Sequence, residues 1–356
     1  MNNKRYLFFC LALICFFSAS FAQQKAQPKA GDGVSTFLLR YNRSPKKYYQ
    51  DFMELNKSKL TKDGGLKLGV TYLIPPAKSD KETSSLSKNS KNKSDKKDDS
   101  SRKGKSIPRK SHVDEPLFGP SNRKFKVASR RLEGACFYVV SGHGGPDPGA
   151  IGRAGKYELH EDEYAYDIAL RLAYFLMQEG AEVRIIIQDE KDGIRNESYL
   201  TNSKRETCMG EPIPLNQVQR LKQRCAAINA SYRKDRKNYN YCRAIFLHVD
   251  SRSKGKQTDV FFYHSNRKSE SKGLAYTMKD LFESKYDKHQ PNRGFTGTVG
   301  PRNLFVLSNT TPASVFVELG NIQNEFDQRR LVMNSNRQAL AKWLMEGFLK
   351  DFSKKK

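Results

Sequence analysis

From about residue 131 to the C-terminus, short apolar runs alternate with longer segments whose apolar positions recur every three or four residues. "CFYVV" (136–140) is a continuous apolar run and predicts a buried strand. "EDEYAYDIALRLAYFLMQEG" (161–180) sets Ile168, Leu172, Phe175 and Leu176 on one face and predicts a helix closed by Gly180. "AEVRIIIQ" (181–188) reads as the next strand, "PLNQVQRLKQRCAAINASY" (214–232) as a second helix and "RAIFLHVDS" (243–251) as a third strand. "TDVFFYH" (258–264) continues the sheet, "KGLAYTMKDLFESKY" (272–286) gives a helix, "SVFVELGNIQN" (314–324) a strand and "RQALAKWLMEGFLKDF" (337–352) the closing helix. Alternation of this kind predicts an α/β domain over 131–353, its sheet mainly parallel with some antiparallel pairing and covered by helices. Residues 189–214 follow neither period. A stretch of that length inside a compact domain is a lid, a regulatory insertion or a disordered loop.

The remainder of the chain has a different texture. Residues 1–22, "MNNKRYLFFCLALICFFSASFA", join a basic start to an apolar core and end on small residues, the pattern of a secretory signal peptide cut after Ala22. Residues 77–112 are almost entirely Lys, Ser, Asp and Asn, and they set a basic low-complexity linker over 77–130 that buries too little apolar surface to fold. Residues 31–76 between them carry turn signals and a compact apolar pattern. The whole chain of 356 residues has a net charge of +26, a balance that can mark nucleic-acid binding. Here much of the excess lies in the linker and in Lys354–Lys356, and an exported protein has no nucleic acid to meet. The reading is an exported protein of the periplasm or cell envelope, without an integral membrane segment once the leader is cut, held near an anionic envelope by charge. Cys136, Cys208, Cys225 and Cys242 remain in the mature chain; they form no CxxC zinc pattern, and their pairing is open.

Candidate chemistry sits at the ends of the apolar runs. His143 follows "CFYVV" within "SGHGGPDPGAIG", Glu161 opens the first helix, His248 ends "AIFLHV", and Glu318 ends "SVFVE". In open α/β sheets, ligands bind beyond the carboxyl ends of the strands. Two imidazoles and a carboxylate make a catalytic zinc set with a fourth position for water, and a further carboxylate serves as general acid and base. Glu318 ends a mostly apolar run, where an unpaired carboxylate is costly to bury, so a partner or a task is expected of it.

Four motifs, "SGHGGPDPGAIG", "HEDEYAYDIALRL", "LHVDS" and "NRGF" with "NLFVLSNTTPASVFVELGNIQN", occur in the order found in the zinc-dependent N-acetylmuramoyl-L-alanine amidases of the type 3 family, and the region about 133–352 resembles that family. The resemblance implies a mixed six-stranded sheet with helices on it, in the manner of phosphorylase/hydrolase-like folds. It also implies one zinc per chain on His143, Glu161 and His248, with Glu318 as the catalytic acid and base. Ser141, Arg224, Asp250 and Arg293 are the candidates for the surrounding layer or for substrate. The implied reaction uses zinc-activated water to cut the amide between N-acetylmuramic acid and L-alanine of the peptidoglycan stem peptide, in wall remodelling or daughter-cell separation, with a protein activator as a further expected partner. Two departures stand out: Val140-Ser141 replaces the family's Asp-Pro before Gly-His, and Leu319 replaces its Thr. They motivate an alternative, an impaired amidase-like protein that binds the wall or activates another enzyme. Residues 31–76 resemble a divergent LysM module, a small βααβ glycan-binding domain, through Gly31-Asp32, Leu55-Asn56, Gly69 and Ile74-Pro75.

Overall fold

The computed structural model describes residues 110–355 and, nearer the N-terminus, 24–28, 32, 34–41, 43, 45–61 and 65–76. The stretches read as a signal peptide and, up to residue 109, as a linker lie outside the described residues. Two compact units emerge, Met1–Asp99 and Ser100–Lys356.

In the first unit, Lys25–Ala26 pairs antiparallel with Tyr72–Leu73, and helices Val34–Arg40 and Pro45–Leu55 lie between them in sequence. The order is therefore βααβ, with its first strand earlier than residue 31. Phe37, Leu38, Phe52, Tyr72 and Ile74 form the core. Asn56, fully buried, joins the helical and strand halves. Its Nδ2 donates to the Phe52 and Leu73 carbonyls at 3.0 and 2.9 Å, and its Oδ1 accepts from the Leu73 amide at 2.8 Å.

The second unit is built on six strands: β1 (Ala135–Ser141), β2 (Glu182–Ile185), β3 (Tyr241–Asp250), β4 (Phe261–His264), β5 (Val299–Pro301) and β6 (Ala313–Asn321). Their spatial order is β5-β4-β6-β3-β1-β2, and every neighbouring pair is parallel except β4 with β6. The mainly parallel mixed sheet expected from the alternating pattern is thus present. Because strand side chains alternate, each central strand feeds two cores. Phe137 and Val139 of β1, with Ile245 and Leu247 of β3, face helices α1 (Glu161–Gln178), α3 (Ser269–His289) and α4 (Asn334–Ser353). Cys136, Tyr138 and Val140, with Cys242, Ala244 and Phe246, face helix α2 (Gln217–Asp235). Burial on both faces explains why these strands read as continuous apolar runs in the sequence.

Several elements escaped the apolar pattern. Residues 110–130, counted with the linker by composition, hold a strand pair, His112–Asp114 with Lys124–Lys126. Val113, Leu117 and Phe125 of that segment pack on the main core. The folded region therefore starts before residue 131, because Phe118, fully buried in that core, and these three side chains anchor an otherwise basic segment. The hairpin of Ile151–Ala154 and Tyr157–His160, and the three-residue β5, are too short to show a period.

Candidate active site

The candidate site lies at the carboxyl ends of β1, β3 and β6. Gly142 extends the pairing of β1 and β3, its amide donating to the Leu247 carbonyl at 2.7 Å. The chain then turns sharply through His143 (φ 55°), Gly144 (φ 94°) and Gly145 (φ 63°). This run of left-handed residues is what the glycines supply. The turn directs His143 back toward the sheet. Glu161 enters from the other side, as the first residue of α1, whose opening turn also holds Asp162 and Glu163. Carboxylates are favoured there by the helix dipole.

One carboxylate oxygen joins the two imidazoles. Glu161 Oε1 lies 3.2 Å from His143 Nε2 and 2.9 Å from His248 Nδ1, and it accepts from the Val249 amide at 3.0 Å. The other oxygen, Oε2, accepts from the Ala150 amide at 2.8 Å. Ligand atoms of His143, Glu161 and His248 all fall within 4.8 Å of one another. Burial alone would raise the Glu161 carboxyl, but the hydrogen bonds from both imidazoles outweigh it and hold the group well below the ordinary carboxylate range. Burial pulls His143 down, yet Asp147 and Glu161 overcome it and push the imidazole up to about 10, while burial holds His248 below its ordinary value.

At two glycines the backbone packs directly against this trio. A Cβ at Gly142 would meet His248 Cε1 at 2.4 Å, and one at Gly149 would meet Glu161 Oε2 at 2.6 Å and the His143 ring at 2.8 Å. Two nitrogen donors and an oxygen donor, at separations close to the edge of a zinc tetrahedron, suit zinc by chemistry and by spacing. On β6, Glu318 is the register partner of His248. Its Oε2 is buried with no hydrogen-bond partner among the described residues. Burial, with repulsion from Glu161 and Asp250, pushes its carboxyl up to about 8.

Residues 138–350 match the family profile described as N-acetylmuramoyl-L-alanine amidase, well over half the chain. The chain belongs to that family. It is similar to the germination-specific N-acetylmuramoyl-L-alanine amidase of Bacillus subtilis (strain 168), 24% identical over 235 residues that span 66% of this chain and 87% of that protein. Among solved structures it is similar to the N-acetylmuramoyl-L-alanine amidase from Clostridium difficile 630, with 20% identity over 63% of this chain and 100% of that one and a TM-score of 0.45. It is likewise similar to the N-acetylmuramyl-L-alanine amidase Ami1 from Mycobacterium smegmatis, with 16% identity over 63% and 99% of the two chains and a TM-score of 0.45. Family membership makes the chain a peptidoglycan amidase.

The layer around this amidase's trio differs from the expected set. Arg224, buried on α2, donates from Nη2 to the His143 carbonyl and so touches the site loop. Asp250 sits beside the site, paired with Arg252, and raises Glu318 by repulsion. Ser141 is the buried last residue of β1, opposite Leu247. Arg293 is not brought to the trio. It donates to Asp259 at 2.7 Å and lies over the Tyr286 ring, within an ion-pair group that Arg330 completes. Two contributors went unassigned in the sequence. Asp147 Oδ2 holds His143 Nδ1 at 2.9 Å, and Arg220 pairs with the same carboxylate at 2.5 Å. The signal for Asp147 was its position four residues past His143 in a turn-forming run. Arg302, a cation that opposes the upward shift of Glu318, had no such signal.

Residues 189–214 are an ordered segment, not a disordered loop. Thr207–Cys208 pairs with Ile187–Gln188 and with Glu211–Pro212 in a small antiparallel sheet. Glu206 Oε2 accepts from the Gly145 amide at 2.8 Å, and Ile213 lies against the space beside Gly145. Arg195 pairs with Glu163 at 2.9 Å, and the Ser203 amide donates to the same side chain. The segment is built into the back of the His143 turn.

Proposed function

We propose that this amidase is a zinc-dependent hydrolase of peptidoglycan, with His143, Glu161 and His248 holding one zinc ion and Glu318 acting as acid and base. The reading is carried by the placement of Glu161 Oε1 between two imidazole nitrogens, one from the turn after β1 and one from β3. A zinc ion bound there polarises a carbonyl and lowers the pKa of water. The protein's own groups prepare the remainder. Asp147 accepts the Nδ1 hydrogen of His143, fixing the tautomer that presents Nε2 inward. Glu318, whose carboxyl is pushed up to about 8 by burial and by Glu161 and Asp250, and whose Oε2 has no partner among the described residues, takes a proton from the attacking water and returns it to the departing amine. The bond cut joins the lactyl group of N-acetylmuramic acid to L-alanine of the stem peptide.

The same reading makes the βααβ unit a LysM-like glycan-binding module on a basic tether, and the leader an export signal that delivers the enzyme to the periplasm or envelope. Wall remodelling or daughter-cell separation, with a protein activator, completes it. Among the described residues no helix is long and apolar enough to cross a membrane. The impaired-protein alternative draws no support from the site. Val140 packs in the apolar core, and Asp147 already supports His143. The test is muropeptide release by the purified chain, with metal content measured on the same sample. Release abolished by a chelator, restored by zinc and lost in Glu318→Ala supports the proposal. Release that survives both chelation and Glu318→Ala overturns it.

A further inference from the structure

All four cysteines described here line the core under α2, and all are buried thiols. Two of them occupy a particular relation. Cys136, near the start of β1, is the register partner of Cys242, near the start of β3. Adjacent strands lie roughly 4.8 Å apart, inside the span of roughly 4.4–6.8 Å between Cα atoms that a disulfide bridges. Parallel register partners direct their side chains to the same face, and both sulfurs lie in the one buried cluster under α2.

We infer that Cys136 and Cys242 are joined as a disulfide when the chain folds in an oxidising compartment. The inference rests on the export reading above, which alone supplies that compartment. The step balances as thiol–disulfide exchange with an external protein or small-molecule disulfide. The Cys242 thiolate attacks one sulfur of that oxidant, forming a mixed disulfide and expelling a thiolate. Cys136 then gives up its proton, attacks Cys242 Sγ and expels the second thiolate. Two electrons pass from the cysteine pair to the oxidant, which leaves as two thiols. Both sulfurs are enclosed once the sheet is covered by α2, so the bond forms while the β1–β3 edge is still open and is afterwards shielded from reductants.

Its place in the fold gives the bond a task. Strands β1 and β3 carry His143 and His248 at their far ends, and a one-residue slip between them would turn each side chain to the opposite face. A covalent link at the near end fixes the register on which the ligand pair depends.

The test uses the full chain, produced once with its leader in a bacterium with an oxidising periplasm and once without it in a reducing cytosol. Free thiols are blocked with N-ethylmaleimide in denaturant and the digests mapped by mass spectrometry. The exported pool is expected to hold linked Cys136 and Cys242 peptides, about 2 Da lighter than the two free thiols together, and the cytosolic pool to hold both blocked. Blocked Cys136 and Cys242 in the exported pool, or linkage of either to another cysteine, overturns the inference. If the chain with its leader never leaves the cytosol, the export reading fails by itself. Refolding the purified chain in a glutathione redox buffer then decides the bond separately: linked peptides support it and blocked ones refute it. A second readout is the urea midpoint, expected to fall on reduction in the native chain and to be insensitive to reductant in Cys242→Ala.

Discussion

Replacing Gly142 by alanine would insert a methyl carbon 2.4 Å from His248 Cε1, 2.5 Å from Nδ1 and 2.7 Å from Nε2. Ordinary contact begins near 3.4 Å, so the ring must retreat by about 1 Å. It has nowhere to go. Gly142 continues β1 on one side of β3, and on the other side Phe316 of β6 stacks on the same imidazole at 4.3 Å with the planes 17° apart. The backbone cannot yield easily either, since the Gly142 amide is bonded to Leu247 and the strands around it are buried on both faces. Metal ligation tolerates displacements of about 0.2 Å, and a misplacement of about 1 Å at a reacting centre costs on the order of 100-fold in rate. Gly142 does not adopt a left-handed φ, so the substitution spares the backbone. The expected result is a cooperative melt lowered by about 1–3 kcal/mol of overpacking, zinc well below one per chain, and muropeptide release down roughly 100-fold. Gly273→Ala is the control, because a Cβ there meets nothing within 4 Å. Full zinc content with at least half the native activity in Gly142→Ala would show that His248 is not gripped as described.

Asp147→Ala removes the acceptor of the His143 Nδ1 hydrogen and strands Arg220; zinc affinity measured by chelator competition should fall by about 10–100-fold. Arg337→Ala empties a fully buried site and removes one of the two guanidinium groups that donate to buried Asp167, Arg337 at 2.6 Å and Arg171 at 2.8 Å. Urea unfolding should show a loss of about 3 kcal/mol or more, and a loss under about 1 kcal/mol would contradict the pairing. Gly273→Ala, at an exposed position of helix α3, should gain about 0.5–1 kcal/mol by lowering the entropy of the unfolded chain. Glu179 is held below its ordinary value mainly by its hydrogen bonds with Arg131, so their stabilisation is complete above the unfolded carboxyl's pKa and is lost as pH falls through the depressed one. Arg131 is largely exposed, so Arg131→Gln should cost under about 1 kcal/mol at pH 7, and the gap to the native chain should close in melts below the ordinary glutamate range.

The elements that read clearly in the sequence are those with enough length to show a period. β1, β3 and β6 are apolar on both faces, and α1 and α4 repeat their core residues over several turns, so each was legible without its partners. The trio was legible for a related reason. Each member stands at the end of such an element, where a polar residue interrupts an apolar pattern. What was hidden depends on contacts between distant residues. Asp147 gains its meaning from His143 and from Arg220, which lies 73 positions further on. Arg293 has the right charge, but it is claimed by Asp259, also buried and acidic. The segment 189–214 looked structureless because it takes its order from hydrogen bonds to α1 and the glycine turn rather than from a period of its own.

That last attachment bears on how the enzyme can be cut down. Protein engineers often shorten a hydrolase by removing its largest irregular excursion, on the view that such chain is decoration. Here Glu206 is the acceptor for an amide in the very turn that aims His143, and Ser203 and Arg195 secure the first turn of α1, where Glu161 begins. A shortened version lacking 189–214 would free both of these supports at once, so the smallest working version of this amidase keeps its least regular part.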